Sequence, residues 1–216
     1  MGKQSRQNRR SGRLNASPQP AKRPERRRFD RKFLGVVAGV GLLVIAGLAV
    51  VAITAAAMAG SGSKSIPSGT DVFAENDHTH VSTPVAYDHN PPAGGPHNPT
   101  PLNCGVYGEQ VPNENAVHSL EHGTVWITYQ PSLSASDVSS LVKLVTSNYV
   151  GTERYILLSP YQGLPTSVVA SAWGAQLKVQ SASDPRLADF IHYYAGGAQG
   201  GEQGATCTSG VGTPDE

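Results

Sequence analysis

Histidines are the residues of this sequence that most clearly suggest chemistry. Six of the seven fall between positions 78 and 122, and only His192 lies elsewhere. The six are His78, His80, His89, His97, His118 and His122. Imidazole is a common metal ligand and also carries protons near neutral pH. Because the surrounding segment is rich in proline, we expect these side chains on loops held by a rigid framework, where binding and catalytic groups concentrate.

The densest part of this segment is the motif VHSLEHG, from Val117 to Gly123. His118 and His122 are four residues apart with Glu121 between them, which matches the H-x-x-E-H pattern of inverted zinc peptidases. That chemistry needs a helix, so that both rings reach one metal ion. Gly123 and an apolar strand follow at once, and the residues PNEN precede, so we expect a turn that runs into a strand. Spacing of four still places both rings on one side, which leaves a metal site without peptidase chemistry open.

His97 follows glycine and proline in PPAGGPH, which would hold its side chain on a rigid turn. With His118, Glu121 and His122 it could supply the three or four nitrogen and oxygen ligands that Zn²⁺ or Cu²⁺ accepts. Cu⁺ bound by thioethers is disfavoured, because both methionines precede residue 60. Two alternatives remain: acid–base catalysis without a metal, and histidines that only brace loops. The pair in DHTHV is a weaker candidate, since it lies beside a linker.

Charge divides the chain into two parts. Residues 1–32 contain 12 basic and 2 acidic residues, a net charge of +10, while the remainder has 5 basic and 14 acidic residues, a net charge of −9. Between them, Phe33–Gly60 is a run of 28 residues without a charge. About 20 apolar residues suffice to cross a bilayer as a helix, and flanking Lys and Arg mark its cytoplasmic end. We therefore expect a single-pass plasma-membrane protein with a cytoplasmic N-terminus and an extracytoplasmic C-terminal domain.

The basic tail is expected to attract anionic lipid headgroups rather than nucleic acid. A cleaved signal peptide is the closest competitor of the membrane anchor, but the apolar region of such a peptide spans only about 7–15 residues. Either way the remainder is exported. Its two cysteines, Cys104 and Cys207, are therefore expected to form a disulfide in an oxidising compartment.

Composition and pattern predict the following organisation. Residues 1–32 form a disordered basic tail, 33–60 a transmembrane helix, 61–69 a linker, 70–207 the exported globular domain and 208–216 a flexible C-terminal tail. Within the domain, a Pro-rich loop segment precedes strands at Thr124–Gln130 and Arg154–Pro160, and a hairpin turns at Gly174. Helices are expected at Ser134–Asn148 and after Asp184. The order β-α-β-β-α predicts an α+β sandwich with helices on one face of a sheet and long Pro-rich loops.

Three stretches resemble a known family: PPAGGPH, NCGVYGEQVPNENAVHSLEHGTVWITY and LLSPYQGLPTSVVASAWGAQLKV. They are similar to the domain of unknown function 3105 family, found mostly in actinobacteria and usually behind a membrane anchor. The resemblance covers roughly Ile66 to Cys207, and it implies membrane anchorage but no established activity. By this resemblance the family motifs include Pro96-His97, Cys104, His118, Glu121, His122 and Gly123.

The leading hypothesis is a membrane-anchored cell-envelope protein with a ligand or metal site at His97, His118, Glu121 and His122. The first alternative is an envelope hydrolase or acid–base enzyme that uses the same residues. The second is a structural or interaction module without a catalytic site. The sequence indicates the lipid bilayer as a partner and identifies no protein partner.

Overall fold

The computed structural model describes residues 65–216. The predicted tail, the predicted membrane segment and the first four residues of the predicted linker lie outside the described residues. Within residues 65–216, no helix combines the length and the apolar character needed to cross a membrane.

A six-stranded mixed sheet forms the centre of the domain. In chain order its strands are β1 (Thr70–Val72), β2 (Gly105–Val106), β3 (Val125–Tyr129), β4 (Ile156–Pro160), β5 (Val168–Ala172) and β6 (Ala175–Val179). Across the sheet the order is β1-β6-β5-β3-β4-β2. The pairs β3–β4 and β4–β2 are parallel, and the other three pairs are antiparallel. The four strands that the sequence predicts correspond to β3, β4, β5 and β6.

Three helices accompany the sheet in the described residues: α1 (Asn113–Glu121), α2 (Ala135–Ser147) and α3 (Arg186–Tyr194). The helix predicted from Ser134 is confirmed as α2, and Ser134 is its N-cap, because the Ser134 hydroxyl accepts the backbone N–H of Asp137 at 3.2 Å. Before α3, the Asp184 carboxylate accepts the backbone N–H of Arg186 at 3.0 Å. The domain therefore belongs to the predicted α+β class.

Helices cover both faces of the sheet, whereas the sequence led us to expect them on one face. Helices α2 and α3 pack into one apolar cluster, and α1 packs into a second cluster on the other side. Strand β3 feeds both clusters: Val125 and Ile127 point into the first and Trp126 into the second. Successive strand side chains alternate between faces, so a strand covered on both sides is apolar throughout.

Helix α1 corrects the prediction of a turn at VHSLEHG. The helix begins directly after Pro112 and ends at Glu121, with His122 as its cap. Asn113 and Glu114 form its first turn instead of preceding it, so the helix has nine residues, more than the motif alone allowed. Gly123 ends the helix because its φ of +93° is a conformation that glycine adopts without strain.

The C-terminal residues 208–216 also differ from the expected flexible tail. Val211 forms a parallel bridge with Leu102. Further along, the Val106 N–H donates to the Glu216 carbonyl at 3.0 Å, and the Asp215 N–H donates to the Val106 carbonyl at 2.7 Å. The segment therefore hydrogen-bonds to the free edge of β2. Its amino-acid composition gives no sign that it pairs with a strand.

The predicted disulfide is present. Cys104 and Cys207 are 103 positions apart in sequence, their Cα atoms lie 5.3 Å apart, and both residues are buried. The Cys104 N–H also donates to the Cys207 carbonyl at 2.6 Å. The bond joins the segment before β2 to the Gly-rich segment that follows α3, so it closes most of the domain into one loop.

Removing this bond should lower the free energy of unfolding. For a Cys104→Ser/Cys207→Ser double variant of the full chain we expect a loss of about 2–4 kcal/mol, because the crosslink no longer restricts the unfolded chain. Urea unfolding followed by tryptophan fluorescence measures this, since Trp126 and Trp173 are both buried. Equal stability of the oxidised wild type and the double variant would show that the bond contributes nothing.

Candidate functional site

Helix α1 carries three of the four predicted ligands at its C-terminal end. His118 and Glu121 lie in the helix and His122 caps it. All three are buried, with exposed fractions of 4%, 4% and 6%. The opposite side of the helix anchors it in the core through Ala116, Val117 and Leu120. Packing of the apolar side therefore fixes the direction in which the polar side faces the loops.

His80 and His97 reach the same place through a pairing of two loops. The two residues form a parallel bridge. The Val81 N–H donates to the His97 carbonyl at 2.7 Å, and the His97 N–H donates to the Thr79 carbonyl at 3.0 Å. The rings of His80 and His97 lie 4.9 Å apart, and the His80 ring stacks on His118 at 5.0 Å. Backbone hydrogen bonds thus position both rings against the end of α1.

Three of the imidazoles have the same protonation pattern. Each directs Nδ1 at a backbone carbonyl, which can only accept a hydrogen bond, so Nδ1 carries the hydrogen. Nε2 is then the nitrogen left with a lone pair for a ligand. Metal-binding histidines commonly show this arrangement, because the bond at one nitrogen orients the other. The rings are His97, His118 and His122, which donate to Gly95, Asn98 and Thr206 at 2.8, 2.6 and 2.7 Å.

The Glu121 carboxylate lies at the centre of this cluster. Its Oε1 lies 2.5 Å from His78 Nδ1, and its Oε2 lies 3.0 Å from His97 Nε2. His80 Nε2 is 4.0 Å from the same Oε2. Because Nδ1 of His97 already holds a hydrogen, its Nε2 lone pair and the carboxylate oxygen would repel each other. A proton or a metal ion must therefore lie between them: a proton on Nε2 or on the carboxylate oxygen, or a metal ion bound by both atoms.

The charge of the His118 imidazole follows from its burial. Burial lowers the pKa of His118 from its usual 6.5, although the hydrogen bond to the Asn98 carbonyl opposes that shift. The neighbouring rings of His122, His97 and His80 lower it further. The ring is therefore neutral at physiological pH, and Nε2 presents a lone pair rather than a proton.

The polar groups form two overlapping sets in the described residues. The first is His80, His97, His118 and Glu121, and the second is His118, His122 and Glu202. In each set one ligand atom per residue lies within 4.8 Å of the others. The predicted residues thus come together, but not as one set. His97, His118 and Glu121 share the first, whereas His122 belongs to the second.

Sequence reasoning missed one contributor and underrated two. His78 and His80 are the pair that ranks as a weaker candidate because it lies beside a linker, and Glu202 stands in the Gly-rich tail with no motif around it. His78 contacts Glu121 and stacks on Trp173, with ring centroids 4.5 Å apart. A signal for the pair was available, because residues two apart in an extended segment project from the same side. For Glu202 the sequence held no such signal.

Glu202 reaches the site because the Gly-rich segment after α3 packs directly on the end of α1. A Cβ atom at Gly200 would lie 2.3–2.6 Å from backbone atoms of Glu121, and one at Gly123 would lie 2.4 Å from the Gly197 carbonyl. The Gly196 N–H donates to the Gly123 carbonyl at 2.9 Å. The glycines are therefore explained by close contact of two backbones rather than by flexibility.

The two remaining histidines lie elsewhere. His89 stacks on Phe73 with ring centroids 3.9 Å apart. His192 lies on α3, where its Nε2 is 2.7 Å from the side-chain oxygen of Asn148. Neither belongs to either of the two sets.

The helical conformation of α1 removes our reason for disfavouring the peptidase pattern, but a second feature replaces it. In a peptidase the glutamate of H-x-x-E-H must accept a proton from a metal-bound water. Here both oxygens of Glu121 already face imidazole nitrogens of His78 and His97. The carboxylate is therefore arranged as a binding group and not as a free base.

Comparison with known proteins yields one match. A family model described as "Protein of unknown function (DUF3105)" matches residues 78–209. That range includes the two loops, α1, the Gly-rich segment and both cysteines. No curated protein and no solved structure matches the chain.

Contact between the Gly-rich segment and α1 can be tested at Gly200. We expect Gly200→Ala to lower the free energy of unfolding by about 1–3 kcal/mol, because the added methyl overlaps the backbone of Glu121. Gln203→Ala, at an exposed position of the same segment, removes only an exposed hydrogen bond of 3.3 Å to the Gly196 carbonyl and should change it by less than about 0.5 kcal/mol. Urea unfolding of both variants measures the difference. Equal effects at the two positions would contradict the contact.

Proposed function

We propose that this chain, which belongs to the family described as "Protein of unknown function (DUF3105)", binds a divalent transition-metal ion on the extracytoplasmic side of a membrane. The ligands are His80, His97, His118 and Glu121, which we call the inner position. The proposal goes beyond the family, whose description names no activity. It depends on the ligand atoms, three imidazole nitrogens and one carboxylate oxygen, and on the cation that must lie between them.

The contact between His97 and Glu121 carries the proposal. His97 is fully buried and its Nδ1 hydrogen goes to the Gly95 carbonyl, while its Nε2 lies 3.0 Å from Glu121 Oε2. A metal ion satisfies both lone pairs at once. A proton would satisfy only this pair and would leave the lone pair of His118 Nε2 without a hydrogen bond among residues 65–216.

The inner position has the ligand number and type that a tetrahedral metal accepts. It offers three imidazole nitrogens and one carboxylate oxygen. Ligands about 2.0–2.1 Å from a tetrahedral zinc ion lie about 3.3 Å from one another, so ligand atoms that are up to 4.8 Å apart must approach by as much as about 1.5 Å to hold one ion. His80 can supply this contraction, because its side chain is 47% exposed whereas that of His97 is 0% exposed.

His78 and Trp173 support this position without binding the ion themselves. His78 contacts Oε1 of Glu121, so Oε2 is the oxygen left for the ion. Trp173 stacks on His78, and its indole N–H donates to the Glu75 carbonyl at 3.1 Å. Such outer contacts fix the orientation of a ligand and commonly affect metal affinity about 10–100-fold.

Donor chemistry favours Zn²⁺ or Cu²⁺. Imidazole nitrogen suits both ions, whereas Mg²⁺ and Ca²⁺ bind almost exclusively to oxygen. The described residues contain no methionine, and both cysteines are in the disulfide, so they offer no thioether or thiolate for Cu⁺. The cofactor we propose is therefore Zn²⁺ or Cu²⁺.

The location outside the membrane rests on the sequence. The uncharged segment Phe33–Gly60 and the basic residues before it support an anchor with a cytoplasmic N-terminus. The disulfide agrees with an oxidising compartment. The bilayer is then the partner of the anchor, and anionic headgroups are the partner of the basic tail. We do not expect nucleic acid to be a partner.

Metal content distinguishes this proposal from a module in which the histidines only brace loops. The full-length chain, purified in detergent and incubated with Zn²⁺ or Cu²⁺, should retain about one equivalent after removal of free ions, by elemental analysis. His97→Ala should lose most of it, because the variant removes the only fully buried ligand. At a metal concentration 100 times Kd, binding should also raise the stability of the wild type by about 2.7 kcal/mol.

The matched control is His192→Ala, which removes an imidazole far from the cluster and should keep the metal. Circular dichroism checks that both variants fold. If the wild type holds no metal and gains no stability from either ion, the proposal is wrong and the structural module is the better description.

A further inference from the structure

We propose that the ion has a second, surface-facing position at His118, His122 and Glu202, and that it enters and leaves the inner position through this outer one. The inference rests on the proposed function, since it assigns a route to the same ion. It concerns how the domain exchanges a hydrated divalent cation with its surroundings.

The outer position has its own prepared ligands. His122 donates its Nδ1 hydrogen to the Thr206 carbonyl at 2.7 Å, and its Nε2 lies 3.2 Å from Glu202 Oε2. The pair repeats the contact between His97 and Glu121, because again the Nε2 atom of a ring whose Nδ1 is engaged faces a carboxylate oxygen. The ligand atoms of His118, His122 and Glu202 lie within 4.8 Å of one another.

His118 belongs to both positions but can serve only one at a time. Its Nδ1 is committed to the Asn98 carbonyl at 2.6 Å, so Nε2 is its only free donor. One lone pair binds one ion. Two ions therefore cannot both use this ring, so an ion that takes the full ligand set of one position leaves the other position one ligand short.

The two positions differ in ligand number and in access to solvent. The inner position has four protein ligands, which complete a tetrahedron. The outer position has three, which leaves one place for water or for an exchanging ligand. Of the two carboxylates, Glu202 is 50% exposed at its side chain and Glu121 5%, while the inner position has one exposed ligand, His80, at 47%. The outer position is thus suited to exchange and the inner one to retention.

The loop that supplies Glu202 is held against the helix that carries His118 and His122. The Glu202 N–H donates to the Glu121 carbonyl at 3.4 Å. Beyond it, Thr206 precedes the disulfide-bonded Cys207. The hydrogen bond at Glu202 and the disulfide at Cys207 hold this segment at two points. They keep the exposed carboxylate beside His122 without burying it, as a site of ion entry requires.

Glu202→Gln tests this route because it removes the charge of an exposed side chain and leaves the inner ligands intact. Full-length wild type and variant are loaded with Zn²⁺, and release to an excess of a chromogenic chelator is followed by stopped flow. We expect both proteins to hold about one equivalent, and the variant to release and take up Zn²⁺ about tenfold more slowly. Glu109→Gln, at an exposed carboxylate that no hydrogen bond engages in the described residues, is the control and should exchange at the wild-type rate.

The other possible results of the zinc-exchange experiment are distinguishable from one another. Unchanged exchange rates in Glu202→Gln with one bound equivalent would overturn the outer position while leaving the proposed function in place. Two equivalents in the wild type and one in the variant would show two independent sites and overturn the sharing of His118. A wild type that binds no Zn²⁺ would remove the proposed function itself.

Discussion

A buried carboxylate, that of Glu121, is the constraint on which the rest of this domain depends. Removing an ionised group from water costs several kcal/mol unless it is paired. Glu121 also lies at the C-terminal end of α1, where the helix dipole disfavours negative charge. Positive charge must therefore be brought to this point. Imidazoles from two distant loops, and the metal ion we propose, meet that need.

The fold is organised to deliver these groups. The sheet and the apolar side of α1 set the position of His118 and Glu121, and the pairing of His80 with His97 brings the Pro-rich loops to them. On the other side, the Gly-rich segment lies on the helix end closely enough that only glycine fits at position 200. The disulfide joins the segment before β2 to the Gly-rich segment after α3. The loop segments around the site are in this way held at a defined geometry.

Much of the framework could be predicted from the sequence, because local pattern determines it. Strands β3 and β4 are short apolar runs, α2 has helical spacing behind Ser134, and the two cysteines have no other partner. Helix α1 escaped prediction because its first turn is polar and Pro112 provides no side-chain cap. Its stability comes from packing of the apolar side, a tertiary effect that overrides weak local signals.

The site was predicted only in part for the same reason. The H-x-x-E-H motif and His97 could be recognised by residue type and spacing. The spacing of His78 and His80 indicates only that they face one side, whereas the contacts of His80 and Glu202 with α1 depend on pairing between segments far apart in sequence. The division into two positions depends on which ring nitrogen faces a carbonyl, and this is a property of the folded chain alone.

The central claim is that imidazole nitrogens and a carboxylate of this domain hold one metal ion. X-ray absorption spectroscopy of the zinc-loaded full-length chain tests it most directly. The account predicts a first shell of about four nitrogen and oxygen atoms at about 2.0–2.1 Å, without sulfur, and outer-shell scattering from two or three imidazole rings. A shell of water-like oxygens without imidazole scattering would contradict it.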